Sequence, residues 1–223
     1  MIKALTFITR KPGMPLDEFQ TYWRTRHPEA VTRLPGIRRY VQSHVLPSMY
    51  AKGEPPHDGI AEVWADDTDA LRAMTKSPAH APLIEDEARF IDRSKMGVLI
   101  TEEAVGKAGT PALDGIKAVE FFTKKPTMSV EKFQHHWKTT HASLAAKIPG
   151  LRRYVASLVR PSAYSANRTP IYDGAALLWF SSLADLKSAA ATPEYQALIA
   201  DRENFLAPGQ PPFLLTQEYV IVD

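Results

Sequence analysis

The 223-residue chain has no cysteine. That absence removes disulfides, thiolate nucleophiles and cysteine-ligated metals, and it fits a reducing cytoplasm. Charge of one sign is also missing: 27 Lys and Arg stand against 25 Asp and Glu, for a formal net charge of +2. No run is long enough to suggest a nucleic-acid groove or a face for an anionic membrane. No apolar stretch approaches the roughly 20 residues needed to span a bilayer. The opening segment MIKALTFITRKPG has few apolar residues before Arg10 and Lys11 and no small-residue cleavage site. It reads as a strand rather than a signal peptide. What remains is ordinary for a soluble, cytoplasmic protein, 44% apolar and 23% charged, and long enough for one large domain or two modest ones.

The dominant feature is an internal repeat. IKALTFITRKPGM at Ile2 matches IKAVEFFTKKPTM at Ile116, and FQTYWRTRH (Phe19 to His27) matches FQHHWKTTH (Phe133 to His141). LPGIRRYV at Leu34 matches IPGLRRYV at Ile148, and one inserted residue later DGIAEVW at Asp58 matches DGAALLW at Asp173. The copies end at LITEE (Leu99 to Glu103) and LLTQE (Leu214 to Glu218). Roughly four in ten aligned positions are identical, far above chance for so long a period. The Gly-, Ala- and Pro-rich stretch that follows Glu103 reads as a linker. The expected organisation is a first domain over residues 1–104, a linker over 105–115 and a second domain over 116–223.

Each copy reads as strand, helix, strand, strand, helix, strand. Residues 2–10 are β-rich and end at Pro12-Gly13. Leu16, Phe19, Trp23, Ala30 and Leu34 recur at helical spacing, Ser129 is a candidate N-cap in the second copy, and Pro35-Gly36 stops the helix. A strand follows over Ile37 to Leu46, and another around Ile60 to Trp64. Asp66 and Asp67 are candidate caps for a helix that Pro78 interrupts and that resumes to about Phe90; residues 97–105 form the last strand. This order makes a ferredoxin-like (βαββαβ) unit, α+β, with helices on one face of an antiparallel sheet. The first strand is apolar on both parities, which suits a sheet covered on both sides. The two repeats are therefore expected to pair their sheets into one barrel within the chain, with a pocket between them.

The segments YWRTRH and LPGIRRYV, with FQHHWKTTH and IPGLRRYV in the second copy, strongly resemble the EthD family of dimeric α+β barrel proteins. The resemblance covers nearly the whole chain outside the linker. It implies small proteins associated with aromatic or ether catabolism, some relatives being dehydratases, decarboxylases or cyclases. The layout is also similar to methylmuconolactone methylisomerase, a cofactor-free enzyme of the same superfamily. That similarity implies a site histidine at His27 or His141 and a site tyrosine at Tyr40 or Tyr154. The isomerase's cysteine is replaced here by Val63 and Leu178, which argues against a thiol mechanism.

His27 falls near the centre of the stripe drawn by Leu16, Phe19 and Trp23, and His141 matches it beside Phe133 and Trp137. Each is either a buried histidine tied to a backbone carbonyl or a neutral acid–base group at a pocket's edge. Strand alternation puts Tyr40, Gln42 and His44 on one face and Arg39, Val41, Ser43 and Val45 on the other. The second copy reads Tyr154, Ala156 and Leu158, so the copies share the tyrosine and differ beside it. Glu62 against Leu177 continues that trend, while Thr6 against Glu120 reverses it. The more polar site is therefore expected in the first copy, unless Gln42 and His44 face solvent. Glu120 is either a buried acid with a raised pKa or an edge residue paired with Lys117. Arg38, Arg39, Arg152 and Arg153 are carboxylate clamps or surface ion-pair partners. Asp58 and Asp173 read as turn residues, and Trp23, Trp64, Trp137 and Trp179 as core. His135, His136 and His141 do not converge as metal ligands on one helix face, and no Gly-rich nucleotide fingerprint is present.

These observations lead first to a cofactor-independent lyase or isomerase acting on a small cyclic or aromatic metabolite. Catalysis would fall to His27 and Tyr40, or His141 and Tyr154, with His44, Gln42, Trp23, Glu62, Glu120 and Arg39 around the substrate. No cofactor, metal, nucleic acid or membrane is implied. The expected partner is a small molecule, and the chain is an intrachain pseudo-dimer open to higher homo-oligomers. The alternatives are a non-catalytic binding protein, for instance an accessory to an oxygenase, and a cofactor-free monooxygenase.

Overall fold

A computed structural model describes residues 1–164 and 169–223. The first copy forms β1 (Ile2–Ile8), α1 (Leu16–Thr25), α2 (His27–Thr32), β2 (Arg39–Val45), β3 (Gly59–Ala65), α3 (Thr68–Lys76), α4 (His80–Phe90) and β4 (Gly97–Lys107). The second forms β5 (Ile116–Phe122), α5 (Val130–His136), α6 (Ala142–Ala146), β6 (Leu151–Val159), β7 (Gly174–Phe180), α7 (Leu183–Ala190), α8 (Pro193–Phe205) and β8 (Phe213–Val222). The caps follow local chemistry. Asp67 accepts from the backbone of Asp69 and Ala70, Ser129 from Lys132 and Ser182 from Asp185, each satisfying a helix-start N–H that has no partner within its helix. Asp66 does not cap; it pairs with Arg38.

The first helix departs from the single run expected from its apolar spacing. It breaks between α1 and α2 because Pro28 has no N–H and its ring crowds the preceding turn. Ala142 stands at that place in the second copy, and the chain stays helical there. It does so through one widened π turn over Trp137–His141, an insertion into the helical ladder that is frequent at functional sites. Gly36 and Gly150 stand at φ +79° and +74° after the prolines that end these helices, a backbone region that costs a glycine little.

The eight strands run in the order β1-β3-β2-β8-β5-β7-β6-β4 and close into a barrel. This is the intrachain α+β barrel of two ferredoxin-like halves that the repeat predicts. β4 extends to Lys107, three residues past the expected end of the first domain. The chain divides into one unit of residues 1–100 with 218–223 and a second of residues 101–217.

Register fixes the faces of the first unit's sheet. Tyr40, Gln42 and His44 oppose Val63, Ala61 and Gly59, so they share the face on which Phe19, Trp23, Val31, Leu83 and Phe90 of the helices pack. Glu62 opposes Val41 and Leu5, and Trp64 opposes Arg39 and Lys3, which sets these side chains on the opposite face. The helix-bearing face has one unusually close approach: a Cβ on Gly59 would stand 2.2 Å from Trp23. The repeated Asp-Gly pair is thus a seat for the tryptophan as well as a strand entry, and Gly174 seats Trp137 in the second unit.

Candidate functional site

In the first unit the polar groups gather around Trp23. The Trp23 indole Nε1–H donates to the Tyr40 hydroxyl oxygen at 3.3 Å, and the Gln42 amide Nε2 donates to the same oxygen at 2.9 Å and to the Trp23 carbonyl at 2.8 Å. Since a carbonyl only accepts, that last bond fixes which end of the Gln42 amide is nitrogen. Gln42 Oε1 must then accept from His44 Nε2, 2.9 Å away, so Nδ1 carries the imidazole's lone pair. The His44 ring stacks on Trp23 with centroids 4.2 Å apart and meets Tyr219 edge-on at 4.9 Å.

His44 is 4% exposed and Tyr40 1%. Neither His44 nor Gln42 faces solvent, contrary to that alternative, because α1 lies across their face of the sheet. Burial, with the Arg24 guanidinium nearby, pushes the His44 imidazole down to about 3, so it is neutral at physiological pH. Burial also pushes the Tyr40 phenol up, and the Gln42 and Trp23 donors only partly offset it. Of this group His44 reaches a cleft of about 250 Å³, lined with Asp17, Gln20, Thr21, Arg24, Thr25 and Tyr219. The Arg24 guanidinium lies 4.9 Å from the Tyr219 ring centroid and makes no ion pair among the described residues.

His27 sits one helical turn beyond Trp23, 5% exposed, with its ring edge-on to Phe90. Its Nδ1 lies 2.7 Å from an oxygen of Asp86 on α4, whose other oxygen accepts from the Tyr22 hydroxyl at 2.6 Å. The partner is therefore a carboxylate and not the backbone carbonyl considered from sequence. Burial lowers the His27 pKa, and Asp86 holds back part of the fall. The second unit repeats the arrangement. His141 Nδ1 lies 2.9 Å from Asp201, and His136 replaces Tyr22 at 3.0 Å from the same carboxylate. Burial alone would push Asp201 up, but hydrogen bonds from His141, Asn204 and His136 hold it at about 2.

The other candidates separate. Glu62 and Arg39 lie on the far face of the sheet from Gln42. There Lys3, fully buried, bonds Glu62 at 2.8 Å, and both Lys3 and Arg39 lie over Trp64. Sequence alone left the register open, and a shift of one residue reverses which side chains share a face. Glu120 is 6% exposed and accepts two bonds from Arg202 of α8, at 2.6 and 2.5 Å. It is neither a solvated edge residue nor the partner of Lys117, which points to the opposite face over Trp179. Tyr154 accepts from the Trp137 indole at 2.7 Å but has Ala156 and Leu158 where Tyr40 has Gln42 and His44. A wider cleft of about 490 Å³ in the second unit is walled mainly by the Leu206–Pro211 segment, and Arg202 on its wall is already held by Glu120.

Asp58 accepts from the Arg10 backbone at 2.7 Å and from Tyr50, and Asp173 repeats this with Lys124 and Tyr164. Both anchor loops, as their turn positions suggest. Asp86, Asp201, Arg24 and Tyr219 escaped the sequence reading. For the two aspartates a signal existed: IEDEARF and IADRENF keep the acid four residues before a phenylalanine in both copies.

Among solved structures the chain is similar over its whole length to an anthrone oxidase-like protein, at TM-score 0.68 and 14% identity, covering 94% of that chain. It is similar over 99% of its length to a candidate monooxygenase from Lactobacillus acidophilus NCFM, at TM-score 0.58 and 12% identity, covering 94% of that chain. A candidate monooxygenase from Fusobacterium nucleatum subsp. nucleatum gives TM-score 0.59 and 8% identity, covering 99% of this chain and 91% of that one. At these identities the likeness is one of fold. No curated protein matches the sequence. The EthD domain model matches residues 11–94 and again residues 125–209, so the chain belongs to the EthD family and carries its domain twice.

Proposed function

We propose that the protein is a cofactor-independent oxygenase acting on a small aromatic or cyclic compound, with its site at the His44 cleft of the first unit. The observation that carries this is one cleft holding a neutral imidazole with a defined lone pair, a guanidinium that makes no ion pair among the described residues and an aromatic ring. The descriptions of the structural relatives favour this oxidative alternative over the lyase or isomerase expected first.

The chemistry needs a carbanion or enolate that gives electrons to dioxygen. Arg24 would balance the negative oxygen that forms when a C–H beside a carbonyl or aryl ring loses its proton. His44 Nδ1 would receive that proton. Burial is the larger cause of the low His44 basicity and the Arg24 charge the smaller one; an anion beside Arg24 offsets that smaller part, so the imidazole is more basic in the complex than in the free protein. Oxidation of an activated methylene then balances without an added reductant: one methylene and one dioxygen give one ketone carbonyl and one water. Four electrons and both hydrogens leave the carbon, one oxygen atom becomes the carbonyl, and the other leaves as water. Tyr40 and Gln42 act as positioning residues that fix the His44 tautomer, and His27 with Asp86 ties α2 to α4.

The test is oxygen uptake by chelator-treated protein with a panel of phenols and aryl ketones. His44→Leu is expected to lower turnover by about two to four orders of magnitude, the usual span for a lost proton-transfer group. His27→Ala is expected to stay within about tenfold of wild type in kcat and to lose about 1–3 kcal/mol of stability, because it strands the buried Asp86 and Tyr22 groups. A hundredfold loss in a folded His27→Ala variant would move proton transfer to His27. The very low basicity of the free His44 favours one second reading, a binding protein for such compounds; tight binding without oxygen uptake across the panel would establish it.

A further inference from the structure

The same cleft exists twice, and the two differ at the positions that give the first its chemistry. Gln20 Nε2 donates to the Val45 carbonyl at 2.7 Å, and Gln134 Nε2 donates to the Val159 carbonyl at 2.7 Å, so both sites hang on the same bond. Beside Gln134 lies a cleft of about 170 Å³ lined by Lys138, Leu158, Ala104, Glu102, Glu103 and Arg160, among others. Aligning the copies matches Arg24 with Lys138, His44 with Leu158, Gln42 with Ala156 and Tyr219 with Ala104.

We propose that the chain has one working cleft and one retired copy of it, and that the working cleft takes one planar aromatic monoanion per chain. This rests on the reading of the His44 cleft as the functional site. The second cleft has an isobutyl group in place of the imidazole, a methyl in place of the phenol ring, and Ala156 in place of the Gln42 amide that orients the base. Arg160 and Glu102 on its lining are bonded to each other at 2.9 Å. The first offers the ring surface of Tyr219, an imidazole stacked on Trp23 and the Arg24 cation. The guanidinium supplies the preference for negative charge, and the ring surfaces supply stacking for a flat aromatic body. Asp17 on the same wall disfavours a second negative charge.

Tyr219 is the specificity residue in this scheme. It lies on the last strand of the second copy in sequence, yet residues 218–223 belong to the first unit. Its repeat position in the first copy is Ala104. A homodimer would be bound to place the same residue in both clefts; a fused chain is free to place the tyrosine in one.

Titration of the full chain with 4-nitrophenol, whose visible absorption reports its phenolate, tests the proposal. One equivalent is expected to bind, with the bound phenol ionising at lower pH than the free one. His44→Leu and Tyr219→Ala, which import the second copy's residues, are each expected to weaken binding by about tenfold or more, the equivalent of about 1.4 kcal/mol. The triple variant Leu158→His, Ala156→Gln, Ala104→Tyr is expected to bind a second equivalent. Circular-dichroism melts establish that each variant is folded. Two equivalents in wild type, no saturable binding, undiminished binding in folded His44→Leu, or a folded triple variant that stays at one equivalent each overturns the proposal. The oxidation reading fails separately: one equivalent bound at His44 without oxygen uptake from any substrate leaves the stoichiometry standing.

Discussion

His44 Nε2 lies 2.9 Å from Gln42 Oε1, and Gln42 is held in that orientation by its own bond to the Trp23 carbonyl. One backbone carbonyl on α1 therefore decides which nitrogen of a histidine on β2 carries the proton. Gln42→Ala removes this control and leaves a buried carbonyl and a buried imidazole N–H without partners. A loss of about 1–3 kcal/mol in urea-denaturation stability is expected, the range for unsatisfied buried polar groups. Nitrogen NMR of His44 should show a mixture of tautomers where wild type shows a protonated Nε2 alone. A single unchanged tautomer in Gln42→Ala would sever the proposed chain from Trp23 to the cleft.

Much of this geometry is legible in the amino-acid sequence. The repeat, the βαββαβ order and the alternation of Tyr40, Gln42 and His44 against Arg39 and Val41 follow from spacing alone, because side chains on a strand alternate with period two. Long-range pairing was not legible. Nothing local to Glu62 says that it opposes Val41 rather than Gln42, and nothing local to Glu120 points to Arg202, 82 residues away. The break before α2 was visible in Pro28 but hidden by the apolar spacing that continues through Ala30 and Leu34. The partners of His27 and His141 were recoverable only by asking which carboxylates both copies retain.

The buried histidines make stability depend on pH in a stated direction. His44 is held down at about 3 and His57 at about 4, and His27 and His141 are also lowered by burial. In the unfolded chain each returns toward about 6.5. Between that value and the folded one, the unfolded state binds more protons than the native state, so stability rises with pH. The contribution is fully present above about pH 6.5 and is lost progressively as pH falls toward 3–4. Asp201, held at about 2, adds to the loss at the acid end. The urea midpoint should fall steadily from pH 7 to pH 4. His44→Leu should show a shallower fall, and an identical slope would mean that His44 titrates normally.

Gly59 and Gly174 offer a comparison between the two units with one kind of substitution. A Cβ at Gly59 would stand 2.2 and 2.6 Å from Trp23 ring carbons and 3.1 Å from the Ser43 carbonyl, and one at Gly174 would stand 2.5 Å from the Ser157 carbonyl and 2.8 Å from Trp137. Neither indole can move freely, because each is fully buried and bonded through Nε1 to a tyrosine on the sheet. Gly59→Ala and Gly174→Ala should therefore each cost about 1–3 kcal/mol, the usual penalty for overpacking a core. Their effects on the cleft should differ. Displacing Trp23 moves the surface on which His44 stacks and the carbonyl that orients Gln42, so Gly59→Ala should also weaken 4-nitrophenol binding. Displacing Trp137 disturbs a unit whose matching positions are Ala156 and Leu158, and Gly174→Ala should leave that binding unchanged. Equal losses of affinity in the two variants would mean that binding follows general stability and not the Trp23–His44 contact.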